Sequence, residues 1–227
     1  MAPITQVRER RTSVDVIFDH LYDAIVSLQL LPGDKISEAE VASQFNVSRQ
    51  PVRDAFSRLE NLDLLLIRPQ RATEVKRFSS REITKSRFVR AAVEAEVLRR
   101  AARACDAAGV ALMQAALAQQ KLAVEAPDYE RFGALDYEFH RTLCQVAQVD
   151  FAFEVISSEK ANVDRLCLLS LSKEDRMEQL LEDHTEISRC IQNHDEDGAV
   201  TAGMLHLSRL DSTIEAISTL NPNYFDP

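Results

Sequence analysis

Asp136 and His140 stand four residues apart in a stretch of helical periodicity, so both side chains project from one face of one helix. His184 and His206 fall near the middles of two later helical stretches. One carboxylate and three imidazoles from three helices could converge on a divalent ion, and an O/N donor set of this kind suits Zn²⁺, Ni²⁺ or a similar borderline metal. The residue types alone leave a plainer alternative open. An Asp-x-x-x-His pair can be a surface ion pair, and a lone helical histidine can simply be packed or solvated. His20 and His194, the other two histidines, are assigned to no metal.

A second kind of chemistry lies earlier in the chain. Ser48, Arg49, Gln50 and Arg53 crowd the start of a helix, with Val52, Ala55, Phe56 and Leu59 on its opposite face. Polar and basic side chains at the N-terminal end of a helix that packs by its other side can reach base edges in a major groove. Free N–H groups at the same end favour phosphate. Arg68 and Arg71 follow in a turn between two short apolar runs, where they could meet a minor groove or the backbone. Farther on, Arg90 and Glu94 have i,i+4 spacing, which a surface ion pair worth a few tenths of a kcal/mol would explain.

The elements that must hold these residues can be read from periodicity. Val14 to Leu28 has apolar residues at three- and four-residue spacing and predicts an amphipathic helix. Leu31-Pro32-Gly33-Asp34 stops it. Ser37 to Glu40 is a capping-box pattern that starts a short helix ending near Phe45. Asn46-Val47 is a tight turn, Ser48 is placed as the cap of the helix Arg49 to Asn61, and Pro51 sits in its first turn, where a missing N–H costs nothing. Leu64–Ile67 and Ala72–Val75 then predict a two-stranded ribbon. This order is that of a winged helix-turn-helix. From Arg81 onward the pattern is helical throughout, over about 81–106, 109–125, 128–148, 151–171, 174–193 and 196–219. The fold class expected is mainly α: a winged helix-turn-helix followed by an α-helical bundle of about six helices. The domains expected are a flexible arm at 1–12, a DNA-binding domain at 13–78, a helical domain at 79–220 and a C-terminal tail at 221–227.

Charge distribution agrees with this division. The chain has 27 Lys or Arg against 36 Asp or Glu, a net of −9, which at first argues against nucleic acid. Residues 1–80 carry 11 basic and 11 acidic side chains, so the whole excess of negative charge lies in residues 81–227. Residues 48–77 are locally +3. An apolar fraction of 45% excludes disorder. No apolar run approaches the length of a membrane span, and the first residues lack the apolar core of a secretory signal. Four scattered cysteines without a CxxC suit reduced thiols in the cytoplasm.

Leu31-Pro32-Gly33-Asp34-Lys35-Ile36-Ser37-Glu38, Val47-Ser48-Arg49-Gln50-Pro51-Val52-Arg53-Asp54-Ala55 and Arg58-Leu59-Glu60 closely resemble the GntR family of bacterial transcription regulators. The resemblance implies that Arg49, Arg53 and Arg58 touch operator DNA, with Arg71 in the wing. Two departures stand out: Asp63 and Ala72 occupy positions where the family often has Gly, so those two turns are expected to differ in shape. In the second half, Asp136-Tyr137-Glu138-Phe139-His140, Glu182-Asp183-His184 and Met204-Leu205-His206 resemble the FCD-type effector domain of the FadR-like branch. That resemblance implies Asp136, His140, His184 and His206 as ligands of a divalent metal, zinc first, with nickel or another transition metal as alternatives. It also implies a small carboxylate-bearing effector. Arg90 would then face the effector cavity and grip a carboxylate bidentately, with Asn162 and Arg165 lining the same cavity.

The function expected is a ligand-responsive regulator, a repressor released by a small organic anion, that binds a pseudo-palindromic operator as a homodimer. Two alternatives remain at this stage. One is a metal-dependent helical hydrolase, and the other is a regulator whose metal is purely structural.

Overall fold

The computed structural model describes residues 11–126, 128–167 and 174–226. The expected flexible arm therefore lies almost wholly outside the described residues, as do the breaks at Pro127 and Ser172-Lys173. The chain divides into two units, Met1–Phe78 with Asn221–Pro227, and Ser79–Leu220.

The first unit begins with α1 (Ser13–Val26). Its start is a capping box: Thr12 Oγ1 accepts from Asp15 N, and the Asp15 carboxylate accepts from Thr12 N at 3.0 Å. α2 (Glu38–Gln44) is capped by Ser37, and α3 (Arg49–Asn61) follows a turn in which Asn46 takes a left-handed backbone, φ +52°. Ile17, Leu21 and Ile25 of α1, Val41 of α2 and Val52, Phe56 and Leu59 of α3 form the core. Fully burying side chains of this size contributes about 1.5–3 kcal/mol each. Ser48 holds the N-cap position of α3 but makes no side-chain cap hydrogen bond. The expected cap is thus correct in place and absent as a bond, which leaves the hydroxyl exposed at the end of the helix.

The ribbon is larger than expected. β1 (Lys35–Ile36), β2 (Leu65–Leu66) and β3 (Thr73–Val75) form an antiparallel sheet in the order β1-β3-β2, with Lys35 opposite Glu74 and Leu65 opposite Val75. β1 was not expected, because two residues after a Pro-Gly turn show no alternation to read. Gly33 turns the chain into β1 at φ +92°, a conformation other residues rarely adopt. Asp63 takes φ +61° itself, so the turn after α3 obtains its left-handed residue without glycine. In the wing the left-handed residue is Gln70, φ +59°, and not Ala72.

Residues after Leu220 belong to this first unit. A short 3₁₀ turn, Pro222–Tyr224, brings Phe225 beside Phe78 in a parallel bridge. Phe78 N donates to Tyr224 O and Asp226 N to Phe78 O, each at 2.8 Å. Arg77 Nε donates to Asn223 O at 3.0 Å.

The second unit holds α4 (Ser80–Ala104), α5 (Ala107–Glu125), α6 (Tyr129–Val146), α7 (Ala152–Cys167), α8 (Glu174–Gln192) and α9 (Glu196–Leu220). Ser79, Asp106 and Asp128 cap α4, α5 and α6, each accepting from the backbone N–H three residues on. The core joins Val97, Leu98 and Ala101 of α4, Met113 of α5, Phe139 and Leu143 of α6, Ile156 of α7 and Ile187 of α8. α9 approaches α4 closely at Gly203, where a Cβ would collide with the Leu98 side chain. That close approach carries His206 of α9 toward the interior.

Candidate metal centre and nucleic-acid face

In the first unit, Ser48, Arg49, Gln50, Arg53, Arg58 and Arg71 are all exposed. They differ in what holds them. Arg49 and Arg71 make no ion pair among the described residues. Arg53 Nε is 2.9 Å from Glu38 Oε2, linking α3 to the start of α2. Gln50 Nε2 donates to Asp54 Oδ1 at 2.8 Å. Arg58 is held twice, by Asp15 Oδ1 at 2.9 Å and by the Phe18 ring, 4.1 Å below its guanidinium. Hydrogen bonds from Thr12 and Arg58 hold the Asp15 carboxyl down at about 2. Arg68 pairs with Glu74, which Arg77 also contacts. Exposed pairs of this kind are worth about 0–1 kcal/mol, so Arg53 can exchange Glu38 for phosphate at small cost. Arg58 is the one most committed to its own domain.

In the second unit α6 supplies Asp136 and His140, α8 supplies His184 and α9 supplies His206. All four are buried, and one ligand atom from each lies within 4.8 Å of the other three. The i,i+4 spacing on α6 aligns the first two. The His184 ring is fixed by stacking on Phe139, with centroids 4.1 Å apart. Asp136 Oδ1 is 3.4 Å from His184 Nε2.

Partners behind the ligands set their protonation. Gln120 Nε2 donates to Leu135 O at 3.1 Å, which turns its carbonyl oxygen toward His184. That oxygen lies 2.8 Å from His184 Nδ1 and fixes the proton there. The lone pair of His184 is therefore on Nε2, the nitrogen facing Asp136. Such an outer hydrogen bond is the usual means of orienting a metal-binding imidazole. His140 has Glu94 Oε2 2.9 Å from Nδ1 and Arg90 Nη2 3.0 Å from Nε2. His206 Nδ1 faces Asp183 at 3.6 Å, and Arg209 grips the same carboxylate at 3.2 and 3.3 Å. Lys160 Nζ is 3.2 Å from Asp136 Oδ2 and stands 4.1 Å over the Tyr137 ring.

Burial pushes His184 well below the usual imidazole range, and the neighbouring His206 adds to this. Burial lowers His206 too, against the pull of Asp183. Burial would raise Glu94 and Asp136. For Glu94 the Arg90 guanidinium outweighs it and for Asp136 the Lys160 ammonium does, so both stay ionised. At neutral pH Asp136 is thus a carboxylate and His184 and His206 are neutral imidazoles, the state a metal requires. His184 Nε2 and His206 Nδ1 are buried and make no hydrogen bond. Buried polar atoms left this way are costly; His206 Nδ1 has the Asp183 carboxylate beside it, while His184 Nε2 faces Asp136, where a cation would satisfy it. The four residues fit a divalent metal.

The depressed imidazoles have a consequence for stability without metal. In the unfolded chain each histidine takes a proton near pH 6.5, while the folded rings resist it. Stability is therefore full above about pH 6.5 and falls as pH drops below it, by up to about 1.4 kcal/mol per pH unit for each proton excluded. Urea unfolding of metal-stripped protein from pH 7.5 to 5.5 is expected to show this fall. A flat profile would mean that the rings are open to water.

A cavity of about 130 Å³ opens beside the centre, lined in part by Ser86, Arg87, Arg90, Met204, Leu207 and Ser208. Arg90 thus touches both cavity and metal centre. Arg90 also bonds Glu94 Oε1 at 2.5 Å, a buried pair rather than the surface one its spacing allowed. Asn162 and Arg165 lie on α7, with side chains outside the described residues. Gln120, Lys160 and Asp183 were not singled out from the sequence. Gln120 left one signal: it shares the inward face of α5 with Gly109, Met113 and Ala123, a polar side chain on an otherwise apolar stripe.

Comparison with known proteins agrees with both halves. Residues 14–75 match the model of bacterial regulatory proteins of the gntR family, and residues 87–209 match the FCD domain. The chain is 34% identical over 221 residues to the HTH-type transcriptional repressor RspR of Escherichia coli K12, covering 97% of each. Two solved structures share the fold. E. coli McbR/YncC has a TM-score of 0.66 at 17% identity, covering 91% of this chain and 99% of that one. A putative GntR regulator from Rhodococcus sp. RHA1 has a TM-score of 0.67 at 20% identity, covering 89% and 97%. The hydrolase alternative falls with these relatives, which are regulators of transcription. The chain belongs to the GntR family, with an FCD domain after its DNA-binding unit, and is a transcription regulator rather than an enzyme.

Proposed function

We propose that the protein is a cytoplasmic repressor that binds a pseudo-palindromic operator as a homodimer and releases it when a small carboxylate binds at the metal centre. The relative named as a repressor supports the direction of control. The observation that carries the effector half is the buried Asp/His₃ cluster with Arg90 shared between it and the adjoining cavity. A metal held by Asp136, His140, His184 and His206 would attract a carboxylate oxygen, and Arg90 would supply a second, charge-assisted grip. One oxygen and three nitrogens favour zinc, with nickel and other borderline ions next.

Release follows if the anion binds the DNA-free arrangement more tightly than the DNA-bound one. Metal-loaded protein is expected to gain thermal stability with one member of a small carboxylate panel, and the same compound should lower its affinity for DNA fragments it has itself selected. Stabilisation by none of the panel, with metal bound and DNA affinity intact, would favour a metal that only supports the fold.

A further inference from the structure

Lys160 is an unusual neighbour for a metal centre, because an ammonium repels the ion that the ligands attract. It is 8% exposed, it reaches Asp136 Oδ2 at 3.2 Å, and the Tyr137 ring beneath Nζ holds it there. The two oxygens of Asp136 therefore have different partners. Oδ2 is taken by Lys160, and Oδ1 is turned to His184 Nε2.

The buried carboxylates around the ligands each face a cation. Among the described residues, Asp136 is offset by Lys160, Glu94 by Arg90 and Asp183 by Arg209. Metal-bound imidazoles are neutral. A divalent ion would bring two positive charges into a buried site where Lys160 already holds one oxygen of the only carboxylate in the ligand set. Buried charge without a partner is strongly disfavoured.

We propose that Lys160 is a positioning residue that restricts Asp136 to one ligating oxygen and cancels its charge, so that a bound divalent metal retains an open position and a need for an anion. This rests on the proposed metal-dependent effector function and deepens it. The residue that makes the site demand a carboxylate is a lysine that need not touch it. Without Lys160, Asp136 can offer both oxygens and its full charge, and the metal is satisfied by the protein alone.

The test uses the full chain loaded with Co²⁺, whose visible absorption reports coordination number, and acetate as the anion. Lys160→Met keeps the length of the stem and removes the charge. Expected results are about tenfold tighter Co²⁺ binding, from removing a like charge beside the ion, a weaker visible band from added coordination, and an acetate affinity on the metal reduced about tenfold or more. Lys160→Arg should restore the wild-type band and acetate affinity, which a purely packing role would not predict. Should Lys160→Met fold poorly, Tyr137→Leu loosens the ammonium without touching a ligand, and a smaller loss of acetate affinity is expected. Acetate affinity and Co²⁺ spectrum unchanged in Lys160→Met, or unchanged in Tyr137→Leu where the first does not fold, would overturn the proposal while leaving the metal centre standing. Wild-type protein that takes up no Co²⁺ would overturn the metal reading itself, and this inference with it.

Discussion

His184→Ala is expected to abolish specific metal uptake. His184 is the fully buried candidate ligand whose free nitrogen faces Asp136 and whose other nitrogen is fixed by Gln120. No other side chain described around it can supply that nitrogen. Losing even an outer partner of a metal ligand costs about 10–100-fold in affinity, and losing a ligand of this centrality should cost more. Metal at 1,000 times its dissociation constant stabilises a protein by about 4 kcal/mol. Wild-type protein should show that gain on loading, and the variant should show none. The substitution also removes a ring stacked on Phe139 and leaves a void, so the metal-free variant starts less stable, by roughly 2–4 kcal/mol. The metal-dependent shift, rather than absolute stability, is the decisive readout. His184→Gln fills more of the space and separates the two effects. A variant that still binds one metal per chain with wild-type affinity would remove His184 from the ligand set.

Arg49→Ala is expected to weaken operator binding strongly. Arg49 lies at the exposed N-terminal end of α3 with no ion pair among the described residues, so its guanidinium is available to DNA without breaking a bond. Arg53 must first leave Glu38. An arginine reading a base edge is worth about 1–3 kcal/mol, or roughly 5–150-fold in affinity. In the proposed dimer each substitution counts twice. Arg49→Ala should therefore cost the most, Arg53→Ala somewhat less, and Arg58→Ala least, since Asp15 and Phe18 hold Arg58. Fluorescence anisotropy at two salt concentrations separates roles. A lost phosphate contact lowers the salt slope by about one, while a lost base contact relaxes sequence preference. Unchanged affinity in both Arg49→Ala and Arg53→Ala would take α3 out of the reading role.

What the sequence made legible follows from what is local. α3 was expected at Arg49 to Asn61 and is found there, because Ser48, Pro51 and an apolar face at three- and four-residue spacing all act within one helix. The four candidate ligands converge because each sits on a helix whose inward face the periodicity marks. What was missed is non-local. β1 is two residues long and exists only because β3 returns to pair with it. Gln120 and Lys160 matter through neighbours on α6 and α8, and nothing within α5 or α7 announces those neighbours. The tail was expected as a separate end segment, and its pairing with Phe78 spans nearly the whole chain.

That pairing makes the first unit discontinuous: Arg77 and the Asn223 carbonyl it bonds are 146 residues apart. On the ribosome, residues 13–78 emerge before the second unit, and Asn221 to Asp226 leave the tunnel after it. Contacts of such long sequence separation form late, since loop closure must come before they contribute. The nascent chain therefore carries an unfinished DNA-binding unit for most of its synthesis, with the Phe78 backbone N–H and carbonyl still waiting for Tyr224 and Asp226. The clasp waits on Asn221 to Asp226, so a product that ends before them has an unclosed DNA-binding unit.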